Sequence, residues 1–328
     1  MTGPSRRLLL ICPKFFGYDH AIADAAVAQG YAPTVIDARA GTGAIYKSAL
    51  KFLPGLTRGL TQSRFRDRFA RIEDPAGIEE ILLIKGDGMT PDTVGSLRAL
   101  MPKARLTVYL WDGVRNMPGV LPVFALADRV FTFDRNDSAT YGWTYLPLFS
   151  RAALTGPAAT PVPAVWDWSF IGSLHSDRHR VLRAMVAAHP EQRSFVHCYV
   201  QNTPVRLVRA ISDPGLLSGR PPPLSSQIMG YERYKEVVAQ SRAVVDIEHP
   251  SQTGMTMRTV EALLAGKKLI TTNAAVADSD LFHRSRVAVI DRRAPQIGQD
   301  FLASPFLPIS EDLRQRYQID GWLKTLLA

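Results

Sequence analysis

The stretch VDIEHPSQTGMTMRTVEALLAGKKLITTN, residues 245–273, decides how the rest of the chain is interpreted. It predicts a strand, a polar loop, a helix that opens near Thr256 and ends at Gly266, and a second strand that runs to Thr271. Where such a loop enters a helix, unpaired backbone N–H groups lie at the positive end of the helix dipole. This junction therefore favours the binding of a phosphate group.

Two charged side chains of the predicted helix are candidate ligand contacts. Arg258 and Glu261 lie three residues apart, so both project from one face of the first helical turns. Arg258 is suited to a diphosphate, and Glu261 is suited to accept hydrogen bonds from ribose hydroxyls. The alternative is a solvent-exposed Arg–Glu pair on a helix surface. The nucleotide interpretation is favoured by small or polar neighbours: His249, Thr253, Gly254 and Thr256.

The pattern Gly254-x-x-x-Arg258-x-x-Glu261-Ala262-x-x-x-Gly266 resembles the nucleotide-sugar signature in the C-terminal domain of GT-B glycosyltransferases. The sequence looks most like the bacterial polysaccharide and lipopolysaccharide glycosyltransferases of the CgeB-like, group-1-like set. Further matches are spread along nearly the whole chain: PKFFGYD at 13–19, YLWD at 109–112, LPLF at 146–149 and FIGSLHSDR at 170–178.

The resemblance implies an α/β protein of the GT-B fold, with two Rossmann-like domains that face each other across a cleft. The expected domains are residues 1–155 on the acceptor side and residues 165–311 on the nucleotide-sugar side. A helix over about residues 312–328 is expected to pack back on the first domain. In this family the helix glutamate holds the donor ribose, whereas glycine and helix-terminal N–H groups hold the pyrophosphate.

The sequence departs from the family at one point. The GT-B pattern of two glutamates seven residues apart is missing, because Glu248 precedes Glu261 by thirteen positions. No role is therefore carried over to Glu248, and no retaining mechanism is inferred.

The spacing of apolar runs predicts two β-α-β halves, each with a parallel sheet covered on both faces. The proline- and alanine-rich stretch 156–164 predicts the linker between them. Helices are predicted at about 19–29, 91–101 and 136–142, and 311–327 is expected to be helical. The predicted strands are 8–12, 33–36, 81–85, 106–110, 130–133, 145–148, 169–171, 195–200, 243–247, 268–271 and 287–290.

The composition is that of an ordinary soluble globular protein, with 328 residues that are 46% hydrophobic and 21% charged. Cys12 and Cys198 lie far apart in apolar runs, so we expect buried thiols in a reducing compartment. The amino-terminal apolar run is too short for a signal peptide, and no run approaches the roughly 18 apolar residues of a spanning helix. A cytoplasmic location is expected.

The net charge of +9 is concentrated in residues 41–72, which alone carry +6. Apolar residues recur in this segment at helical spacing. A basic amphipathic segment is typical of contact with an anionic membrane, here the inner-membrane surface, or with an acidic acceptor. The alternative is a solvated helical flap that covers a core.

Ligands of open parallel sheets bind beyond the carboxyl ends of the strands. The turn 172–178 follows the first strand of the second half and is therefore a candidate binding loop. Gly172 permits close backbone approach, and Arg178 can pair with a diphosphate. The alternative is that Ser176 or Asp177 simply caps the next helix. With the loop and helix described above, the candidate donor-binding set is Gly172, Ser173, His175, Arg178, His249, Thr253, Gly254, Met255, Thr256, Arg258 and Glu261.

The loop after the first strand of the chain is the expected source of a general base, because it faces the donor in many inverting GT-B enzymes. Transfer requires a carboxylate or an imidazole near the acceptor hydroxyl. Asp19 fits this role, with His20 and the strand-end Asp112 as alternatives, although Asp19 could also be a helix N-cap. The candidate acceptor-side residues are Lys14, Phe16, Gly17, Tyr18, Lys85 and Asp87.

The leading function is transfer of a sugar from a nucleotide diphosphate to a bacterial surface glycan or its lipid-linked precursor. The enzyme would be a hexosyl- or glycosyltransferase that needs no cofactor and no metal, since helix dipoles and basic side chains neutralise the departing diphosphate. The Asp278-Ser279-Asp280 sequence is interpreted as a surface loop or helix start. The alternative function is a catalytically inactive protein that binds a nucleotide or a glycan. Nucleic-acid binding is not expected, because no nucleic-acid motif appears in the sequence.

Overall fold

The computed structural model describes residues 5–14, 16–39, 54–86, 88–151, 162–200, 210, 213–217, 222–250 and 252–328. The chain forms two compact units. Unit 1 comprises Met1–Pro147 and Ile319–Ala328, and unit 2 comprises Leu148–Gln318. The linker predicted at 156–164 lies mostly in residues 152–161, outside the described ranges.

Unit 1 contains a six-stranded parallel sheet in the order β2-β1-β3-β4-β5-β6. Its strands are β1 (Arg6–Cys12), β2 (Tyr31–Asp37), β3 (Glu80–Ile84), β4 (Arg105–Leu110), β5 (Arg129–Thr132) and β6 (Thr144–Tyr145). Its helices are α1 (Tyr18–Ala28), α2 (Pro54–Phe69), α3 (Pro91–Leu100), α4 (Leu121–Phe124), α5 (Arg135–Tyr141) and, at the end of the chain, α11 (Ile319–Leu327). Short 3-10 turns lie at Pro75–Gly77, Val114–Asn116 and Pro118–Val120.

Unit 2 contains a second six-stranded parallel sheet in the order β12-β11-β10-β7-β8-β9. Its strands are β7 (Trp166–Ser173), β8 (Ser194–Tyr199), β9 (Leu224–Ser225), β10 (Ser241–Asp246), β11 (Lys268–Thr271) and β12 (Val287–Val289). Its helices are α6 (Arg178–Ala188), α7 (Tyr231–Ala239), α8 (Met257–Leu264), α9 (Gln299–Ala303) and α10 (Glu311–Tyr317), with 3-10 turns at Pro214–Leu217 and Ala274–Asp278. The predicted α/β class with two parallel sheets is confirmed.

The central strands form because their apolar runs are covered on both faces. All of Leu8–Cys12 in β1 and Ile81–Ile84 in β3 are fully buried, as parallel sheets between helical layers require. The prediction placed Lys85 in β3, but the strand ends at Ile84 because Lys85 has a φ of 73°. The strand predicted at 145–148 is β6 alone, since Pro147 cannot donate to a ladder.

The C-terminal segment expected as one helix is divided at Gln318. This residue has extended backbone, with a ψ of 151°, and pairs with Ser150. The preceding α10 belongs to unit 2, whereas α11 belongs to unit 1 and packs on α1. Trp322 of α11 packs edge-on against Tyr109, with ring centroids 4.9 Å apart.

The apolar side of the basic segment is part of the core of unit 1. Phe65 and Phe69 of α2 and the following Ile72 are buried among side chains of the sheet and of α3. This arrangement fits the alternative of a helical flap and leaves these three side chains no area for a membrane. Residues 41–53 lie outside the described ranges.

Candidate functional site

The carboxyl end of β10 carries a fully buried aspartate that organises the following helix. The Oδ1 of Asp246 accepts a hydrogen bond from Arg258 Nη1 at 2.6 Å. Its Oδ2 accepts hydrogen bonds from the hydroxyls of Thr256 at 2.7 Å and Thr259 at 2.8 Å. Thr256 is also the N-cap of α8, where its side chain accepts from the backbone N–H of Thr259. The helix therefore begins at the predicted residue, and Asp246 fixes its start to the sheet.

Arg258 lies against the neighbouring strand rather than in solvent. Its Nε donates to the Ile171 carbonyl at 3.0 Å, and its guanidinium lies 5.0 Å from the ring centroid of Phe170. A Cβ added at Gly172 would lie 2.5 Å from Arg258 Nη2, so a larger residue there would displace the guanidinium. The group that approaches the backbone of Gly172 closely is thus the side chain of Arg258.

Glu261 has different partners from Arg258. Its carboxylate is 4% exposed, with Oε1 3.3 Å from Arg151 Nε and Oε2 accepting from the Tyr234 hydroxyl at 2.9 Å. The Arg151 guanidinium lies 3.4 Å above the ring centroid of Tyr231. Burial raises the pKa of Tyr231 to about 12, and the positive charge of Arg151 offsets only part of that effect. The alternative of an exposed Arg258–Glu261 pair is wrong, because both side chains are covered and each has its own partner.

Arg178 connects two loops of unit 2 through hydrogen bonds to their backbone. Its Nε donates to the Ile247 carbonyl at 3.0 Å, Nη1 donates to the Ser173 carbonyl at 2.7 Å, and Nη2 also donates to Ile247. Burial, reinforced by the nearby charge of Arg258, lowers the pKa of Arg178 to about 9. The predicted diphosphate contact thus competes with three main-chain contacts of a buried side chain.

The remaining residues of the donor-binding set lie at the same edge of the sheet. The rings of His175 and His249 have centroids 5.7 Å apart. The side-chain amide of Asn273 donates to the carbonyls of Thr253 at 3.3 Å and Gly254 at 3.2 Å, which holds this loop against the end of β11. Met255 is buried in the same loop.

A second ionic cluster at this edge was not predicted. Arg292, after β12, pairs with Asp177 at 2.6 Å and with Glu248, which also accepts from the Thr272 hydroxyl. Burial alone would raise the pKa of Asp177, but the charge of Arg292 together with hydrogen bonds from Arg292 and Arg180 lowers this pKa. Asp177 occupies the N-cap position of α6 without capping it, so the predicted cap is wrong for this side chain. Only the position of Glu248 and Arg292 after strands could have marked them.

A recess of about 420 Å³ adjoins this cluster. It is lined by Arg180, Ala184, Arg292 and Arg293. Arg180 also pairs with Asp177 at 3.1 Å, so two of its three arginines already have carboxylate partners. Its lining is therefore less cationic than its composition indicates.

In unit 1 the loop after β1 turns sharply into α1. Phe16 and Gly17 have φ angles of 49° and 76°, and Gly17 occupies the N-cap position. Asp19 therefore lies in the first turn of α1 and is not its N-cap. It is 2% exposed, with Oδ2 3.7 Å from Nε2 of the exposed His20. Tyr18 meets Trp111 edge-on at 6.3 Å, so this loop contacts the loop after β4.

Lys85 and Asp112 join the ends of β3 and β4. Lys85 Nζ lies 3.5 Å from Asp112 Oδ2, and Asp112 Oδ1 accepts from the backbone N–H of Gly113 at 3.1 Å. The nearby Asp137 was not predicted. Burial raises the pKa of Asp137, and the charges of Asp134 and Asp112 raise it further.

Lys14 and Asp87 are two further residues of the predicted acceptor-side set. The backbone of Lys14 contacts Asp37 and Arg39, where its N–H lies 3.5 Å from Asp37 Oδ1 and its carbonyl accepts from Arg39 Nη2 at 2.6 Å. Asp87 lies outside the described ranges.

The Asp278-Ser279-Asp280 segment carries structural contacts. Asp280 accepts hydrogen bonds from the Tyr317 hydroxyl at 2.5 Å and from Arg316 at 2.6 Å. Among the residues that the structure describes, no group of three or more His, Cys, Asp or Glu side chains could hold a metal ion. In the same ranges, no helix is both long and apolar enough to span a membrane.

No protein-family model matches the sequence, and no curated protein matches it. Solved structures match over nearly the full chain at low sequence identity. The HepE protein of Anabaena, in complex with UDP and glucose, is 11% identical with a TM-score of 0.62, and the match covers 98% of each chain. Sucrose-phosphate synthase from Thermosynechococcus elongatus is 14% identical with a TM-score of 0.60, and the match covers 98% of this chain and 94% of that one.

A structure of UDP-GlcNAc 2-epimerase from Methanocaldococcus jannaschii also matches. It is 10% identical with a TM-score of 0.52, and 98% of each chain is covered. The two parallel six-stranded sheets and these full-length matches define the fold as GT-B. Because an epimerase shares it, the fold by itself does not separate sugar transfer from sugar isomerisation.

Proposed function

We propose that this protein is a glycosyltransferase that uses a nucleotide-diphosphate sugar as donor. Its acceptor would be a bacterial surface glycan or the lipid-linked precursor of one. The observation that carries the proposal is the end of β10, where a glycine-containing loop leads into the N-terminus of α8. The first turn of α8 contains no acidic residue, so its dipole and the N–H groups that the Thr256 cap does not use favour an anion such as a diphosphate.

The catalytic assignment rests on the loops of unit 1. Asp19 is proposed as the general base, because it is a buried carboxylate in the loop-to-helix turn after β1. Asp112 and His20 remain the alternatives, and the neighbouring Asp137 is a further carboxylate that is more readily protonated. The departing diphosphate would be neutralised by N–H groups and basic side chains, with no metal required.

The basic segment, residues 41–72, is proposed to contact a membrane through its charges. The apolar residues Phe65, Phe69 and Ile72 are buried, so only the basic side chains of this part of the segment can attract an anionic surface. Such attraction would bring a cytoplasmic enzyme to a lipid-linked acceptor at the inner membrane.

A panel of nucleotide sugars tests the proposal. UDP-, GDP-, ADP- and dTDP-sugars are screened by thermal shift, since a ligand at a hundredfold excess over its Kd stabilises by about 2.7 kcal/mol. A ligand that raises the Tm is then incubated with the protein in the absence of acceptor. A transferase slowly hydrolyses such a donor, an inactive binder leaves it intact, and an epimerase converts its sugar. If no nucleotide sugar raises the Tm, the proposed function is wrong.

A further inference from the structure

The carboxylate of Glu261, proposed above to bind the donor ribose, is covered. Its side chain is 4% exposed, and each of its oxygens has a protein partner. A ribose hydroxyl can reach this carboxylate only if one of the covering groups moves. The covering groups include Arg151, which is itself 10% exposed and lies over the ring of Tyr231, and Tyr234 of the same helix α7.

The guanidinium of Arg151 makes two kinds of contact at once. Its Nε lies 3.3 Å from Glu261 Oε1, and its Cζ lies 3.4 Å from the ring centroid of Tyr231. A nucleoside offers the same two features, since its hydroxyls donate to a carboxylate and its flat base stacks on an aromatic face.

Tyr231 supplies an independent indication of a ligand. Its hydroxyl is buried and has no hydrogen-bond partner in the described part of the chain. A buried hydroxyl without a partner is costly, and a polar ligand group would remove that cost. A ligand that replaces the guanidinium and offers a hydrogen-bonding group to this hydroxyl would therefore be favoured.

We propose that Arg151 is an internal competitor of the donor, and that a nucleoside diphosphate binds by displacing its guanidinium from Glu261 and Tyr231. This inference rests on the proposed function. In the free protein the guanidinium satisfies the buried carboxylate, as a buried charge requires. In the complex the ribose hydroxyls satisfy the carboxylate, and the base covers Tyr231.

Competition predicts that removal of the guanidinium tightens nucleotide binding. Arg151→Met keeps most of the aliphatic stem and removes both contacts. Isothermal titration of UDP, ADP, GDP and dTDP should then show at least a tenfold lower Kd for the preferred nucleotide, which corresponds to about 1.4 kcal/mol. Arg151→Lys keeps the charge but lacks the planar group, so a decrease of about threefold is expected.

Two controls separate displacement from a simple change in charge. Arg233→Met removes a positive charge from an exposed site on α7, where Arg233 pairs with Glu236, and should leave the Kd unchanged. Inorganic pyrophosphate has no ribose or base, so its affinity should be the same for wild type and Arg151→Met. A general loss of positive charge would instead weaken pyrophosphate binding.

The possible failures are distinguishable. If wild type binds a nucleotide and folded Arg151→Met binds it equally or more weakly, the competition is refuted and the proposed function stands. If Arg151→Met does not fold, the lysine variant decides in the same way. If neither wild type nor the variants bind any of the four nucleotides, the proposed function itself is refuted, and this inference with it.

Discussion

Replacing Asp246 with asparagine tests the arrangement on which the start of α8 depends. The aspartate is fully buried and Arg258 is 16% exposed, so solvent screens their 2.6 Å contact very little. Either orientation of the new amide leaves one side poorly matched. With its oxygen toward the two threonine hydroxyls, its NH₂ faces the guanidinium, and the reverse orientation forces both hydroxyls to rotate. Breaking a buried ion pair by removing one partner costs about 3–5 kcal/mol, and we expect that loss for unit 2.

Hydrogen exchange measured along a urea titration provides the assay, because peptides from β10 and β11 report unit 2 separately from unit 1. The surface pair of Arg233 and Glu236 provides the matched control. Its side chains are 52% and 58% exposed, so Glu236→Gln should cost less than about 1 kcal/mol. A double-mutant cycle of Asp246→Asn with Arg258→Met should give a coupling energy of roughly 2 kcal/mol.

If Asp246→Asn destabilises unit 2 no more than Glu236→Gln does, the buried carboxylate does not hold the helix start. If both single variants are destabilised but their effects add, the loss arises from separate contacts rather than from the pair itself.

Three further predictions follow from the site residues. Asp19→Asn should keep donor affinity and lower turnover by about two to four orders of magnitude in a single-turnover transfer assay, whereas near wild-type turnover would assign the base elsewhere. Arg292 lowers the pKa of Asp177 in the folded protein. The ionised carboxylate therefore stabilises the fold at pH values above about 3.9, the pKa of an aspartate in the unfolded chain, and this stabilisation is lost as the pH falls through the folded pKa. Asp177→Asn should therefore reduce stability in urea at pH 7, and its difference from wild type should shrink below about pH 4; a constant difference would contradict this. Replacing three basic side chains of the segment 41–72 with glutamine, those of Arg64, Arg66 and Arg71, should weaken binding to anionic vesicles in a co-sedimentation assay, and more so at low salt than at high salt. A wild-type protein that does not bind such vesicles at low salt would contradict the membrane proposal.

The sequence allowed the sheets to be predicted well, because continuous apolar runs with turn residues between them are local signals. Within the ranges that the structure describes, eleven of the twelve strands were predicted, and the exception is β9, a two-residue strand after three prolines. The start of α8 was also predictable, since an N-cap threonine before an apolar periodic run is a local pattern.

The partners of the charged residues could not be predicted in the same way. The spacing of Arg258 and Glu261 indicates only that they share a helix face. What each contacts depends on chain segments brought together by the fold. Arg258 meets an aspartate twelve residues earlier, whereas Glu261 meets Arg151, which is 110 residues away. The sequence pattern thus predicted the helix α8 itself but not the residues that contact its charged side chains.

That environment bears on how a diphosphate would be held at this edge of the sheet. Arg258 is paired with Asp246, Arg178 donates to main-chain carbonyls, and Arg292 is shared between two carboxylates. Each arginine thus has contacts that a phosphate would have to replace. Among the backbone N–H groups at the start of α8, that of Thr259 donates to the Thr256 side chain, and the Asp246 and Thr256 contacts orient the others. Oriented dipoles of this kind stabilise developing negative charge without reorganisation, so we expect the arginines to shape the loops and the helix N-terminus to contact the diphosphate.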